Sequence, residues 1–300
     1  MKTMMAIVAI MATQADASVA GPATSSRCLP LQRGDGGSLV ITALVNDAGP
    51  FAFVLDTGSS GTTLDDRRIA RLQLVPDGPA EQAEGMGGTI DVRLYRLRRF
   101  QAGPLLIRDM IVPGIAAPPL RSHDIAGLAG IDVFGRHLAT WQWDQSCVQI
   151  DRSGRTPPGA GWKPVRSRWL KPWKVMIPMR IGTTEGWGLL DTGAQKSILS
   201  PGFARAVGLG KADTATTDAI TGIDGRETSL VAHRVSAVVG YWSYGDIGVS
   251  VAALPLFDRL GGMDEPVAVV GMDWIGSRQF AIDYGSQRVW QRASTHAAER

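Results

Sequence analysis

The tetrapeptides Asp56-Thr57-Gly58-Ser59 and Asp191-Thr192-Gly193-Ala194 lie 135 positions apart, and each follows an apolar, strand-like run. The first run is Phe51-Ala52-Phe53-Val54-Leu55 and the second is Gly186-Trp187-Gly188-Leu189-Leu190. A carboxylate at the end of a buried strand is costly unless hydrogen bonds or a function hold it there. Two of them in matching surroundings narrow the fold to one that brings duplicated halves together around a shared pair of acids.

The match extends in both directions without a gap. Upstream, Leu39-Val40-Ile41-Thr42-Ala43-Leu44-Val45-Asn46 lies over Lys174-Val175-Met176-Ile177-Pro178-Met179-Arg180-Ile181. Turn-rich stretches follow in both copies, Asp47 to Pro50 and Gly182 to Glu185, so each unit is expected to form a hairpin that delivers its aspartate. Downstream, Thr62-Thr63-Leu64 matches Ser197-Ile198-Leu199. Short helices are expected next, one capped by Asp65 or Asp66 and running to Leu74, the other opened by Ser200-Pro201 and running to Leu209.

Later landmarks recur. Gly85-Met86-Gly87-Gly88 answers Gly222-Ile223-Asp224-Gly225, and Leu128-Ala129-Gly130-Ile131-Asp132 answers Val269-Val270-Gly271-Met272-Asp273. Each copy closes with a strand-like stretch holding an acid, Trp143-Asp144 to Ile150 and Ile282-Asp283 to Trp290. One unit of a little over a hundred residues has been duplicated.

On these residues the chain resembles the aspartic proteases. It looks like a bacterial-type, retropepsin-like enzyme with its pseudo-dimer fused into one polypeptide, and it shares with pepsin-like enzymes two similar halves in a single chain. The resemblance implies an all-β, bilobal, internally duplicated acid-protease fold with pseudo-twofold symmetry. It also implies an endopeptidase in which Asp56 and Asp191 activate a water, with no cofactor and no metal. Thr57 and Thr192 would interlock across the pseudo-twofold axis, and the segments ending at Gly130 and Gly271 would brace the aspartate loops. Gly58 and Gly193 allow a tight turn where a side chain would block close approach. Ser59 is placed to hydrogen-bond its carboxylate, which Ala194 cannot do, so the two acids are expected to be electrostatically unequal.

Gly85, Met86, Gly87 and Gly88 in one half, and Ile223, Asp224 and Gly225 in the other, are candidate substrate-covering flaps. Ordinary hairpin turns are the competing reading, since Gly-Gly and Asp-Gly form turns in any case. The first candidate, Glu84 to Thr89, has no tyrosine, so a pepsin-type flap tyrosine is not carried over.

The chain has 300 residues, room for two lobes. The expected division is 35–155 and 173–292 for the lobes, with 18–34 as an N-terminal extension, 156–172 as linker and 293–300 as tail. Lys2, the apolar run from Met4 to Ala12 and the small residues Ala15-Asp16-Ala17 are those of an export leader over 1–17, too short to span a bilayer. Cys28 and Cys147 are the only cysteines. They are candidates for a bridge between the first lobe's opening and closing strands, with two separate thiols as the alternative.

Net charge is +3, with basic clusters at Arg93 to Arg99 and Arg166 to Lys174. A solvated strand face accounts for them, with attraction to anionic envelope surfaces as the alternative. Nothing matches a nucleic-acid module. The four histidines are scattered and no serine or cysteine nucleophile motif appears. The expectation is a monomeric, non-transmembrane, exported endopeptidase acting on peptides or proteins. A catalytically silent peptide-binding or regulatory module on the same fold is the rival.

Overall fold

The computed structural model describes residues 27–34, 37–85, 88–116, 124–170, 173–209, 217–222 and 227–292. The molecule is nearly all β, arranged as three sheets. Each half owns an eight-stranded sheet, and a six-stranded sheet is shared between them. The proposed leader, most of the N-terminal extension and the tail lie outside the described residues.

The duplication is visible strand by strand. Leu39–Val45 pairs antiparallel with Ala48–Leu55, and Lys174–Ile181 pairs in the same way with Thr184–Leu190. The turns are tighter than the sequence indicates. Asn46 and Asp47 make the first, both at positive φ, and Gly182 and Thr183 make the second, so Ala48 to Pro50 and Thr184 to Glu185 are already strand. Asn, Asp and Gly at such positions accept the left-handed backbone that a two-residue hairpin turn demands.

Each second hairpin strand also pairs in parallel with a later strand. Ala48–Leu55 lies beside Ile125–Ala129, and Thr184–Leu190 beside Val267–Val270. Strands with neighbours on both edges and cover on both faces have no solvent face to alternate with, hence the unbroken apolar runs before Asp56 and Asp191. The helices begin where the capping residues predict but are shorter. Asp65 accepts from the Arg67 amide at the start of Asp66–Arg71, and Ser200 Oγ accepts from the Phe203 amide at the start of Pro201–Ala206.

The shared sheet runs in the order Cys28–Pro30, Cys147–Arg152, His137–Gln142, Phe280–Asp283, Arg288–Arg292, Trp162–Val165. At its centre Thr140 pairs with Ala281, so one strand from each half meets at the pseudo-twofold axis. Cys28 and Cys147 are joined there with their Cα atoms 5.7 Å apart. The stretch between the lobes is itself partly strand, because Trp162–Val165 adds to this sheet and Arg168–Leu170 to the second half's own.

The core is continuous through the shared layer. Trp141 stacks on Phe280 at 4.4 Å and Phe134 on Tyr284 at 5.3 Å, each pair drawing one ring from each half. A buried Trp or Phe in such a site is worth about 3–5 kcal/mol against alanine. The halves are therefore locked together by apolar packing beneath the place where their aspartates meet.

Candidate active site

Each aspartate leaves its strand at the bottom of one large cleft. The cleft has a volume of about 1400 Å³ and is lined by Asp56, Gly58 and Ser59 from one half and Asp191, Gly193 and Ala194 from the other. Asp191 is 5% exposed, while Asp56 is half-buried.

The two loops hold their carboxylates in the same way. Asp56 Oδ1 accepts from the amides of Gly58 (2.8 Å) and Ser59 (3.0 Å). Asp191 Oδ1 accepts from those of Gly193 (2.8 Å) and Ala194 (3.0 Å). The Ser59 hydroxyl does not reach Asp56 as expected but donates to the Gly61 carbonyl at 2.8 Å. The amides of Gly58 and Ser59 already occupy Asp56 Oδ1, and the Gly61 carbonyl supplies the hydroxyl's acceptor. An inequality between the acids therefore does not come from Ser59 and Ala194.

Gly58 and Gly193 permit the approach itself. A Cβ on Gly58 would collide with the Asp191 carboxylate, and one on Gly193 with that of Asp56. Below them the threonines cross over. The Thr57 amide donates to Thr192 Oγ1 (3.1 Å) and the Thr192 amide to Thr57 Oγ1 (3.0 Å). Their hydroxyls in turn donate to the carbonyls of Leu190 (2.8 Å) and Leu55 (2.7 Å). Buried polar groups are tolerated when all are paired, and here all four are.

The electrostatics follow from proximity. Burial, the Asp191 charge and the hydrogen bond between the carboxyls raise the Asp56 pKa well above the ordinary carboxylate value, against the Gly58 amide and Lys174. Burial also raises Asp191, while the bond from Asp56, the Ala194 and Gly193 amides and Lys174 lower it. Two full charges ~3 Å apart at an effective dielectric of ~20 repel by about 5–6 kcal/mol, roughly four pKa units. The pair thus retains one proton over a wide pH range, and its titration belongs to the pair. Such a site presents a base and an acid side by side.

Two further aspartates, noticed in the sequence only as aligned landmarks, brace the loops. Asp132 accepts from the Thr62 amide (2.8 Å) and hydroxyl (2.7 Å), and Asp273 from the Ser197 amide (3.0 Å) and hydroxyl (2.7 Å). The same hydroxyls accept from the amides of Gly130 (3.3 Å) and Gly271 (3.0 Å). The signal was present, since each acid follows Gly130 or Gly271 by two residues.

Gly88, Thr89 and Ile90 line the cleft from one long hairpin, and Ile220, Thr221 and Gly222 from another. Gly85 pairs with Gly88 at the first tip. Met86, Gly87, Ile223, Asp224 and Gly225 lie outside the described residues. No group of three or more His, Cys, Asp or Glu that could hold a metal occurs among the described residues. No described helix is long and apolar enough to cross a membrane.

No curated protein matches the chain. A family profile does, that of the aspartyl proteases, over residues 41–133 and again over 177–274, once in each half. These two regions hold both aspartates, both interlocked threonines and both bracing loops, and together they make up more than half of the sequence. The chain belongs to the aspartyl protease family.

Proposed function

We propose that this protein is an aspartic endopeptidase, with Asp56 and Asp191 as its catalytic pair. The reading rests above all on one observation: two carboxyls, one from each half, each packed against the glycine of the other's loop and lining a single cleft. With one proton between them, the ionised carboxyl takes a proton from a water as its oxygen attacks the peptide carbon. The protonated carboxyl donates to the carbonyl oxygen, giving a neutral tetrahedral diol. The carboxyl that took the water's proton then gives it to the amide nitrogen, while the other takes a proton from a diol hydroxyl. The C–N bond thus breaks to an acid and an amine, and one proton stays on the pair. Aspartic proteases are the general example of two carboxyls sharing one proton, and the chemistry is carried over from them.

A peptide would lie extended between the halves, with the hairpins carrying Gly88 and Gly222 over it. Closure by such elements excludes water and completes a site. Both acids come from one chain, which supports a monomer as the working unit. The Cys28–Cys147 bond supports export, because disulfides persist in oxidising compartments.

The test compares wild type with Asp56→Asn and Asp191→Asn on an unfolded protein substrate, from mildly acidic to neutral pH. Cleavage by wild type and loss in both variants is expected. A folded but inert wild type, or a variant that cuts as well as its parent, overturns the reading and favours a peptide-binding module.

A further inference from the structure

The two walls of the cleft differ in charge. Lys174 opens the strand Lys174–Ile181 and stands as far before Asp191 as Leu39 does before Asp56. Leu39 is 1% exposed and packs in the core, whereas Lys174 is half-buried and lines the cleft together with both aspartates. At this position the duplication has therefore placed a cation in one half and a core leucine in the other, while Arg33, the first half's own cation on the cleft, is tied to the Gly276 carbonyl.

No side-chain hydrogen bond or ion pair ties Lys174 to another described residue, although its charge is felt by Asp56 and Asp191. A second cation, Lys196, lines the same cleft from the loop that follows Asp191. Its counterpart in the first half is Gly61, so this charge too is one-sided. The carboxylates that line the cleft besides the pair do not cancel the lysines. Asp124 is ion-paired with Arg68, and Asp258 is accompanied along the wall by Arg259. With a single negative charge on the Asp56/Asp191 pair, the lysines leave the second half's wall positive.

We propose that Lys174, assisted by Lys196, is a specificity-determining residue that selects peptides carrying an aspartate or glutamate beside the scissile bond. The inference rests on the endopeptidase reading of this cleft. A half-buried ammonium without a fixed partner gains most when a ligand brings a carboxylate to it, since both groups then leave water in company. A lysine or arginine brought to the same place would set like charges together in a partly desolvated cleft, which discriminates against basic peptides as well.

The experiment uses the whole protein and three versions of one cleavable peptide, with Glu, Gln or Lys placed in turn at each residue flanking the cut. Wild type is expected to prefer Glu over Lys by about tenfold in kcat/KM at one of these positions, from a unit charge pair in partly screened surroundings. The Lys174→Met variant should bring that ratio towards one, Lys174→Glu should invert it, and Lys174→Arg should keep it. Added salt should shrink the wild-type preference. An equal fractional loss on all three peptides in Lys174→Met would mean that the lysine acts on the aspartates alone, and would overturn the proposal. If wild type cuts none of the peptides, the endopeptidase reading has failed separately. Calorimetric binding of the same peptides then decides the matter: tighter binding of the Glu peptide supports the proposal and equal affinities overturn it.

Discussion

Thr57 and Thr192 exchange hydrogen bonds across the pseudo-twofold axis, each backbone amide donating to the other's hydroxyl at 3.1 and 3.0 Å. Each hydroxyl then donates to a carbonyl of the opposite strand, at Leu190 or Leu55. The two halves are thereby stitched directly beneath the carboxylates.

This stitch predicts non-additivity. Thr57→Val keeps the shape but strands the Thr192 amide and the Leu190 carbonyl, both buried. Each unpaired group costs about 1–3 kcal/mol. The two hydroxyls make separate bonds, but both pairs span the same approach of the halves. Loosening one side should weaken the other, so the double variant Thr57→Val/Thr192→Val should lose clearly less than the sum of the singles. Urea unfolding of the four proteins in a double-mutant cycle measures this, and simple additivity would count against a shared network.

The pair of aspartates predicts a direction for stability with pH. Burial and the Asp191 charge raise Asp56 above its ordinary value of 3.8. In the window between that value and the raised one, the folded chain holds a proton that the unfolded chain has released. Stability should therefore be fully present at lower pH and fall as pH rises through this window, then level off. Asp56→Asn should flatten the fall and raise the urea midpoint at neutral pH while abolishing cleavage. A variant that is less stable than wild type at neutral pH would show that the buried charge is not the dominant cost.

Gly58 faces the partner's carboxylate with no room for a methyl group. Gly58→Ala should push Asp191 away from Asp56 and lower kcat by about 10²-fold, since displacements of this size misplace reacting groups. The change should leave the core rings untouched. Near-UV circular dichroism together with kcat separates a displaced site from a lost fold, and retention of full activity would contradict the geometry.

Tyr284 is 3% exposed, stacks on Phe134 and leaves its hydroxyl without a partner among the described residues. Burial accordingly pushes its pKa upward. Tyr284→Phe keeps the stacking and removes a desolvated polar atom, so stability should stay level or rise by about 1 kcal/mol. A drop in thermal midpoint of several degrees would mean that the hydroxyl is satisfied by a bound water.

The parts of this molecule that were legible in the sequence are those governed by neighbours in the chain. The caps at Asp65 and Ser200 were among them, and so were the hairpins before Asp56 and Asp191, because capping and turn formation act over a few residues. Matches that depended on distant partners were less secure. Asp144 and Asp283 looked equivalent as acids near closing strands, yet Asp144 is exposed in a single helical turn and Asp283 is fully buried. The Asp283 carboxylate is held by the nearby amides of Gly285 and Ser286 and by that of Gly154, a distant partner that no local pattern announces. The Ser59 hydroxyl meets the Gly61 carbonyl and not its own carboxylate for a similar reason, since the shape of the loop, which spacing does not give, decides which acceptor it reaches.

By itself, then, the sequence determined the duplication, the all-β character and the identity of the two acids, because apolar runs, turn residues and a repeated motif are properties of the chain read in order. Only the tertiary structure decided that strands from both halves join in one sheet, that Asp132 and Asp273 brace the loops, and that Lys174 faces the cleft where Leu39 is buried. Each of these depends on the three-dimensional meeting of segments far apart in the chain or on which face of a strand is covered, and free energies of that kind are set by packing, not by local propensity.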